Sequence, residues 1–197
     1  VEEIAMSIAY NGYFEHEPVF IENDEKGRPI VIEGNRRLAA VRLLREKDLR
    51  EKLRATDLPK ISTERYNELE SLPIVATTRK DVWRYLGFKH VNGPANWGAY
   101  AKAQYIAKVH HTYRVPLEEI ALQIGDYNFT VERMYRGLMV IEQAEREKVF
   151  HRENTTKGSF FFNYIYTGID YPGMRKFLGM KKESSGANPV PKEKIKH

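Results

Sequence analysis

The chain contains no cysteine. That excludes a disulfide framework, a thiolate zinc site and a cysteine nucleophile. Long apolar runs are missing too. No stretch approaches the roughly 20 residues of a membrane-spanning helix, and no signal-peptide pattern opens the chain. The expected compartment is therefore the cytoplasm. The first residues already read as helix and do not begin with Met, so an upstream segment is expected. There is no internal repeat. A strong excess of one charge is also lacking, since 32 Lys and Arg against 27 Asp and Glu leave a formal net charge of +5. This modest basic balance suits a polyanionic partner and equally a solvated surface. What is present is a hydrophobic fraction of 42% in 197 residues, enough for one large domain or two small ones.

The first third reads as an α/β unit. Ile4, Ala5 and Ile8 recur at helical spacing, and Asn11-Gly12 stops that helix. Pro18 to Glu22 (PVFIE) predicts a short strand, Asn23 to Arg28 a turn, and Pro29 to Glu33 (PIVIE) a second, β-branched strand, close enough to pair as a hairpin. The second strand runs directly into Gly34-Asn35-Arg36-Arg37 and then into LAAVRLLRE, whose Leu38, Ala39, Val41 and Leu44 give a helical apolar face. A glycine and two arginines thus stand where a strand ends and a helix begins. Free backbone N–H groups and the helix dipole make such a junction an anion site. Gly34 would let a phosphate approach the backbone, Arg36 and Arg37 can donate charge-assisted bidentate hydrogen bonds, and Asn35 offers a donor and an acceptor. A plain helix start with two solvated arginines fits the same spacing. Glu33, just before the glycine, is a candidate general base or Mg²⁺ ligand, or else an exposed strand-end carboxylate paired with a nearby arginine.

The order of these parts (helix, Asn-Gly turn, strand, turn, strand, then the box Gly34-Asn35-Arg36-Arg37-Leu38-Ala39-Ala40) resembles the N-terminal domain of ParB partition proteins and the wider ParB/sulfiredoxin-like group. The resemblance implies a box that holds the phosphates of a nucleoside triphosphate, CTP or ATP, with Mg²⁺. Asn35 stands where sulfiredoxins carry their catalytic cysteine, so sulfiredoxin chemistry is excluded. Partition proteins usually place a small residue where Glu33 stands, whereas nuclease-like and kinase-like relatives often have an acid there.

Arg45 to Leu72 is strongly charged and predicts short surface helices broken at Pro59, with Ser62 as an N-cap. It is longer than the corresponding link of partition proteins. Leu72 to Thr77 predicts a third strand, and Asp81 to Leu86 a short helix with Val82, Trp83 and Leu86 inward. Gly87 to Trp97 then reads as a loop. The Glu-Asn-x-x-Arg box of partition proteins is absent from it, which leaves the base of the nucleotide open. Lys89, His90 and Asn92 are its polar candidates, with Lys89 and His90 able to face the phosphates across from Arg36; a structural role for His90 and a core role for Trp97 are the plainer readings.

The second half reads as helical. A long helix is expected over Asn96 to Tyr113. After Pro116, Ile120, Ala121 and Ile124 form one apolar face, Gly125 a turn, and Val131, Met134 and Leu138 anchor a second helix. This is the spacing of a helix-turn-helix over about residues 117–138, with Phe129 to Arg136 as the recognition helix. Asn128, Thr130, Glu132, Arg133 and Arg136 are its exposed candidates, the arginines reaching guanine edges or phosphates. A helical hairpin used only for packing fits as well, although an arginine-box domain followed by a helix-turn-helix repeats the order of partition proteins. Phe160, Phe161, Phe162, Tyr164 and Tyr166 suggest core packing or an oligomer contact. Another short helix is expected over Pro172 to Met180, and the polar tail from Lys181 predicts a flexible segment or linker.

The expected fold class is α+β: a small mixed-sheet domain of the ParB/sulfiredoxin type over residues 1–94, an all-α helix-turn-helix domain over 95–180, and a tail over 181–197. The resemblance implies a nucleotide-regulated DNA-binding protein, homodimeric, associated with nucleoid or plasmid, and partnered by a partition ATPase or a defence system. An enzyme is the competing expectation, a Mg²⁺-dependent nuclease or NTPase with Glu33 at its centre, in plasmid maintenance or defence against foreign DNA. A free-serine kinase is the third, and it has no use for a DNA-binding module.

Overall fold

The computed structural model describes residues 1–55, 57–92, 97–126, 128–152, 162–181 and 186–195. Among the described residues it is an α+β protein with one three-stranded mixed sheet. The chain forms two compact units, Val1–Val82 and Trp83–His197.

In the first unit, helix α1 (Glu2–Asn11) ends at Gly12, whose φ of 87° only glycine adopts without strain. Strands β1 (Val19–Asn23) and β2 (Pro29–Glu33) form the expected antiparallel hairpin, with a bulge between Phe20 and Ile21. The turn between them is pinned by Asp24, whose carboxylate accepts the Lys26 and Arg28 backbone N–H groups at 2.9 and 2.8 Å. Strand β3 (Ile74–Ala76) lies parallel to β1 on its other side, giving the order β2-β1-β3. Helix α2 (Asn35–Arg45) packs on α1, and Ala5, Ile8, Ala40, Val41, Leu43 and Leu44 make the core between them. The charged segment after α2 forms α3 (Lys47–Lys52) and α4 (Thr63–Glu68), the latter capped by the Ser62 hydroxyl as expected. This segment is more than surface decoration, because Leu58 and Leu69 complete the core.

The border between the units falls inside α5 (Arg79–Gly87), and not after residue 94. The reason is Trp83: its indole joins the core of the second unit, as does Val91. The stretch expected as a loop after Gly87 instead winds on as a π-helical turn, Phe88–Asn92. Helices α6 (Ala99–Tyr113), α7 (Leu117–Ile124) and α8 (Thr130–Arg146) follow, then α9 (Phe162–Gly168) and α10 (Pro172–Leu178). Ile106, Val109, Ile120, Ile124, Val131 and Leu138 form their shared core, all essentially without solvent contact. At Gly137 an added Cβ would lie 2.6 Å from the Tyr166 Cβ, so α8 and α9 pack at a distance that only glycine permits. Among the described residues no helix is long and apolar enough to cross a membrane.

The tail departs from expectation. Pro189 and Val190 are buried, and Val190 packs with Ile169 and Met180, so this stretch docks on the second unit and is not a free linker.

Candidate functional site

The strand-to-helix junction of the first unit carries the expected glycine in a left-handed conformation, φ 96° and ψ 9°, at the N-cap of α2. Its requirement for glycine has two parts. The positive φ strains any side chain, and an added Cβ would sit 3.3 Å from the Val19 Cα of β1. Gly34 therefore lets the helix start close against the sheet. No side chain caps α2 and no acid stands in its first turn. The leading N–H groups of a helix have no partner within it, so this start keeps free donors and a positive dipole end.

The two arginines of the box part company. Arg36 and Asn35 are exposed, and among the described residues Arg36 has no hydrogen-bond or ion-pair partner. Arg37 turns back onto the loop that precedes β1. Its side chain is 16% exposed, its Nη1 donates to the Glu17 carboxylate at 2.7 Å and its Nη2 to the Pro18 carbonyl at 3.2 Å. The two guanidiniums are thus engaged differently, Arg36 open to solvent and Arg37 bound to Glu17. A hollow does exist beside Arg37, a cavity of about 320 Å³ lined by α1, by Tyr13 and Phe14, and by Glu17. Arg36 does not line it, and Glu3 and Glu17 make its polar wall acidic as well as basic. The Tyr13 hydroxyl donates to the Glu17 carbonyl at 2.8 Å and so fixes the loop that holds Glu17 under Arg37.

Glu33 is not the exposed strand-end carboxylate that one reading expected. It faces Phe20 across the hairpin and is 8% exposed. As a Mg²⁺ site it is thin: it offers one largely covered carboxylate, and among the described residues no group of three or more His, Asp or Glu side chains comes together anywhere. Mg²⁺ takes oxygen ligands in octahedral array and is usually completed by phosphates and water. These residues supply too little of that shell to be a metal centre by themselves.

Lys89 and His90 belong to the second unit, not to the arginine-box unit. His90 is buried and stacks on Trp97, ring centroids 4.3 Å apart and planes 3° from parallel. Trp97 meets Tyr105 edge-on at 5.3 Å, which is a packing role. Lys89 donates to the Tyr85 hydroxyl at 3.2 Å. The structural role read for His90 thus has a partner in Trp97, and Lys89 has one in Tyr85. The Asn92 side chain, like Phe160 and Phe161, lies outside the described residues.

The α7-turn-α8 corner forms as the sequence predicts. Gly125 ends α7 in the left-handed conformation, and the Asp126 N–H bonds to the Ala121 carbonyl at 2.8 Å. Sequence reasoning missed Asp126, which anchors the next helix. Its carboxylate accepts the Asn128 N–H at 3.1 Å and the Val131 N–H at 2.7 Å. An acid between a turn glycine and an apolar helix was the available signal. Helix α8 is 17 residues long and buries Val131, Met134, Tyr135 and Leu138 in the core of its unit. Asn128 is exposed and Thr130 and Glu132 half-exposed at its start. Arg133 and Arg136 are not free. Arg136 Nη1 lies 3.0 Å and Arg133 Nε 3.4 Å from the Asp170 carboxylate, and Arg175 reaches the same group at 3.5 Å. Three guanidiniums on one carboxylate leave a local surplus of positive charge, but the arrangement holds both α8 arginines inward. Asp170 lies 34 residues beyond Arg136, and no local pattern announced it.

No family model, no curated protein and no solved structure matches this chain.

Proposed function

We propose that the first unit binds the phosphates of a nucleoside triphosphate at the start of α2, and that the second unit contacts DNA at the α7-α8 corner, the organisation of a ParB-type DNA-binding protein. One observation supports this reading above the rest. The uncapped α2 start, with left-handed Gly34 and unpaired Arg36, stands beside a cavity walled in part by Arg37. Backbone N–H groups and Arg36 take the phosphates, and Arg37 holds the loop that shapes the cavity for the remainder of the ligand. Mg²⁺ enters only with the polyphosphate, and Glu33 is given no catalytic step. At the corner, Asn128 and Thr130 stand open to a DNA backbone or base edge, while Arg133 and Arg136 become available only when Asp170 lets them go.

The test is calorimetric titration of CTP and ATP into the wild-type chain and Arg36→Ala, with fluorescence anisotropy of a labelled duplex measured in parallel. Arg36→Ala should lose at least about tenfold in triphosphate affinity while keeping its DNA affinity. Equal nucleotide binding by both chains refutes the phosphate assignment. An anisotropy signal that does not weaken as salt rises refutes the DNA assignment.

A further inference from the structure

The tail is held on α8 in the way a receptor holds a peptide. Gln143 is a polar side chain only 1% exposed, and it spends its whole amide on the backbone of Val190. Its Nε2 donates to the Val190 carbonyl at 2.6 Å, and its Oε1 accepts the Val190 N–H at 3.0 Å. A buried amide used in this manner reads backbone rather than a side chain. Specificity comes from elsewhere. The Val190 side chain enters an apolar pocket with Ile169 and Met180, and Arg146 donates to the Ala187 carbonyl and, at 2.9 Å, to the Asn188 side-chain oxygen. Pro191 packs toward Gly179, and Pro189 and Pro191 hold φ fixed on both sides of the valine. The two prolines leave the segment less freedom to lose on docking than an ordinary chain has.

We propose that α8, α9 and α10 form a peptide-binding groove whose ligand is the Ala187–Pro191 segment, and that in solution the segment of a second copy takes this place, joining two chains by exchange of tails. The anchorage is small. Within 186–195, only Pro189 and Val190 are buried, against the entropy of ordering the entire stretch. Docked and released states therefore lie close in free energy, and any second copy carries the same ligand.

A fluorescein-labelled peptide with the sequence of residues 186–195 tests the groove against three full-length chains: wild type, Val190→Asp, and Val190→Asp combined with Gln143→Ala. The Val190→Asp chain, its own ligand disabled, should bind the peptide at least tenfold more tightly than wild type does. The double variant should lose that binding, and a peptide carrying Val190→Asp should not bind. Equal affinity for the single and double variants, or no binding to any chain of native circular dichroism, overturns the groove. If Val190→Asp does not fold, Gln143→Ala alone carries the test by sedimentation. Wild type should show a dimer that grows with concentration and disappears in Gln143→Ala. A wild-type chain that stays monomeric to its solubility limit overturns the exchange, and so does a dimer that survives in the variant.

Discussion

Arg37 donates to Glu17 at 2.7 Å across 20 positions of chain, and this single contact decides that the arginine box presents one guanidinium to solvent and not two. Glu17 is the competitor that any phosphate must displace to use both. Replacing it with Gln removes the competing charge but keeps the shape. Glu17→Gln should raise triphosphate affinity about threefold, in line with the ~0.5 kcal/mol of a partly exposed ion pair. Calorimetric titration checks this, and unchanged or weaker binding would show that Arg37 serves the fold alone.

Gly34 sits at φ 96° with the β1 backbone within 3.3 Å of where a Cβ would stand. Gly34→Ala should destabilise the first unit by ~1–3 kcal/mol, through backbone strain more than lost contacts. The readout is the urea midpoint. Insensitivity to the methyl group would mean that the junction relaxes easily and is a poor scaffold for a ligand.

Asp170 restrains Arg133, Arg136 and Arg175 together. Asp170→Asn should cost ~1–2 kcal/mol of stability, since three partly buried guanidiniums lose their common partner while Asp170 itself is partly solvated. The same change should tighten binding to a non-specific duplex and steepen its salt dependence, because each arginine released adds a phosphate contact. Loss of stability with no change in the salt slope would confine this cluster to packing.

The hairpin turn makes a pH prediction. The Arg28 backbone N–H, then the Arg28 guanidinium and the Lys26 N–H, hold the Asp24 carboxyl below the usual carboxylate range. A depressed folded value means that the ionised form is favoured in the fold. Its contribution is fully present above the unfolded carboxyl pKa of about 3.9, and it is lost as pH falls through the lower folded value. Asp24→Asn should therefore flatten the acid limb of the stability curve and leave its neutral limb parallel to that of wild type. Thermal melts between acid and neutral pH measure it. An unaltered acid limb would show that the turn does not need the charge.

Much of the fold could be read from local chemistry. Pro29–Glu33 is bounded as its β-branched run implies, Ser62 caps α4, and the glycine at 125 ends α7. Each of these is settled within a few residues. What escaped was settled at a distance. Arg37 finds Glu17 only because the loop between α1 and β1 comes back against the start of α2, and Arg136 finds Asp170 only once α9 has packed on Gly137. Composition also misled where one residue outweighed its neighbours: Val190 in a polar tail, and Leu69 in a charged insertion. The candidate site was thus legible in its backbone, the Gly34 junction, and illegible in the aim of its side chains.

Helix α8 is an axle with loads at several heights: the Asp126 anchor at its first turn, Tyr166 against Gly137 midway, and Val190 on Gln143 near its end. A single residue inserted between these stations would rotate everything beyond it by about 100°. The tail pocket would then face away from α9. Length along this helix is therefore far less negotiable than identity.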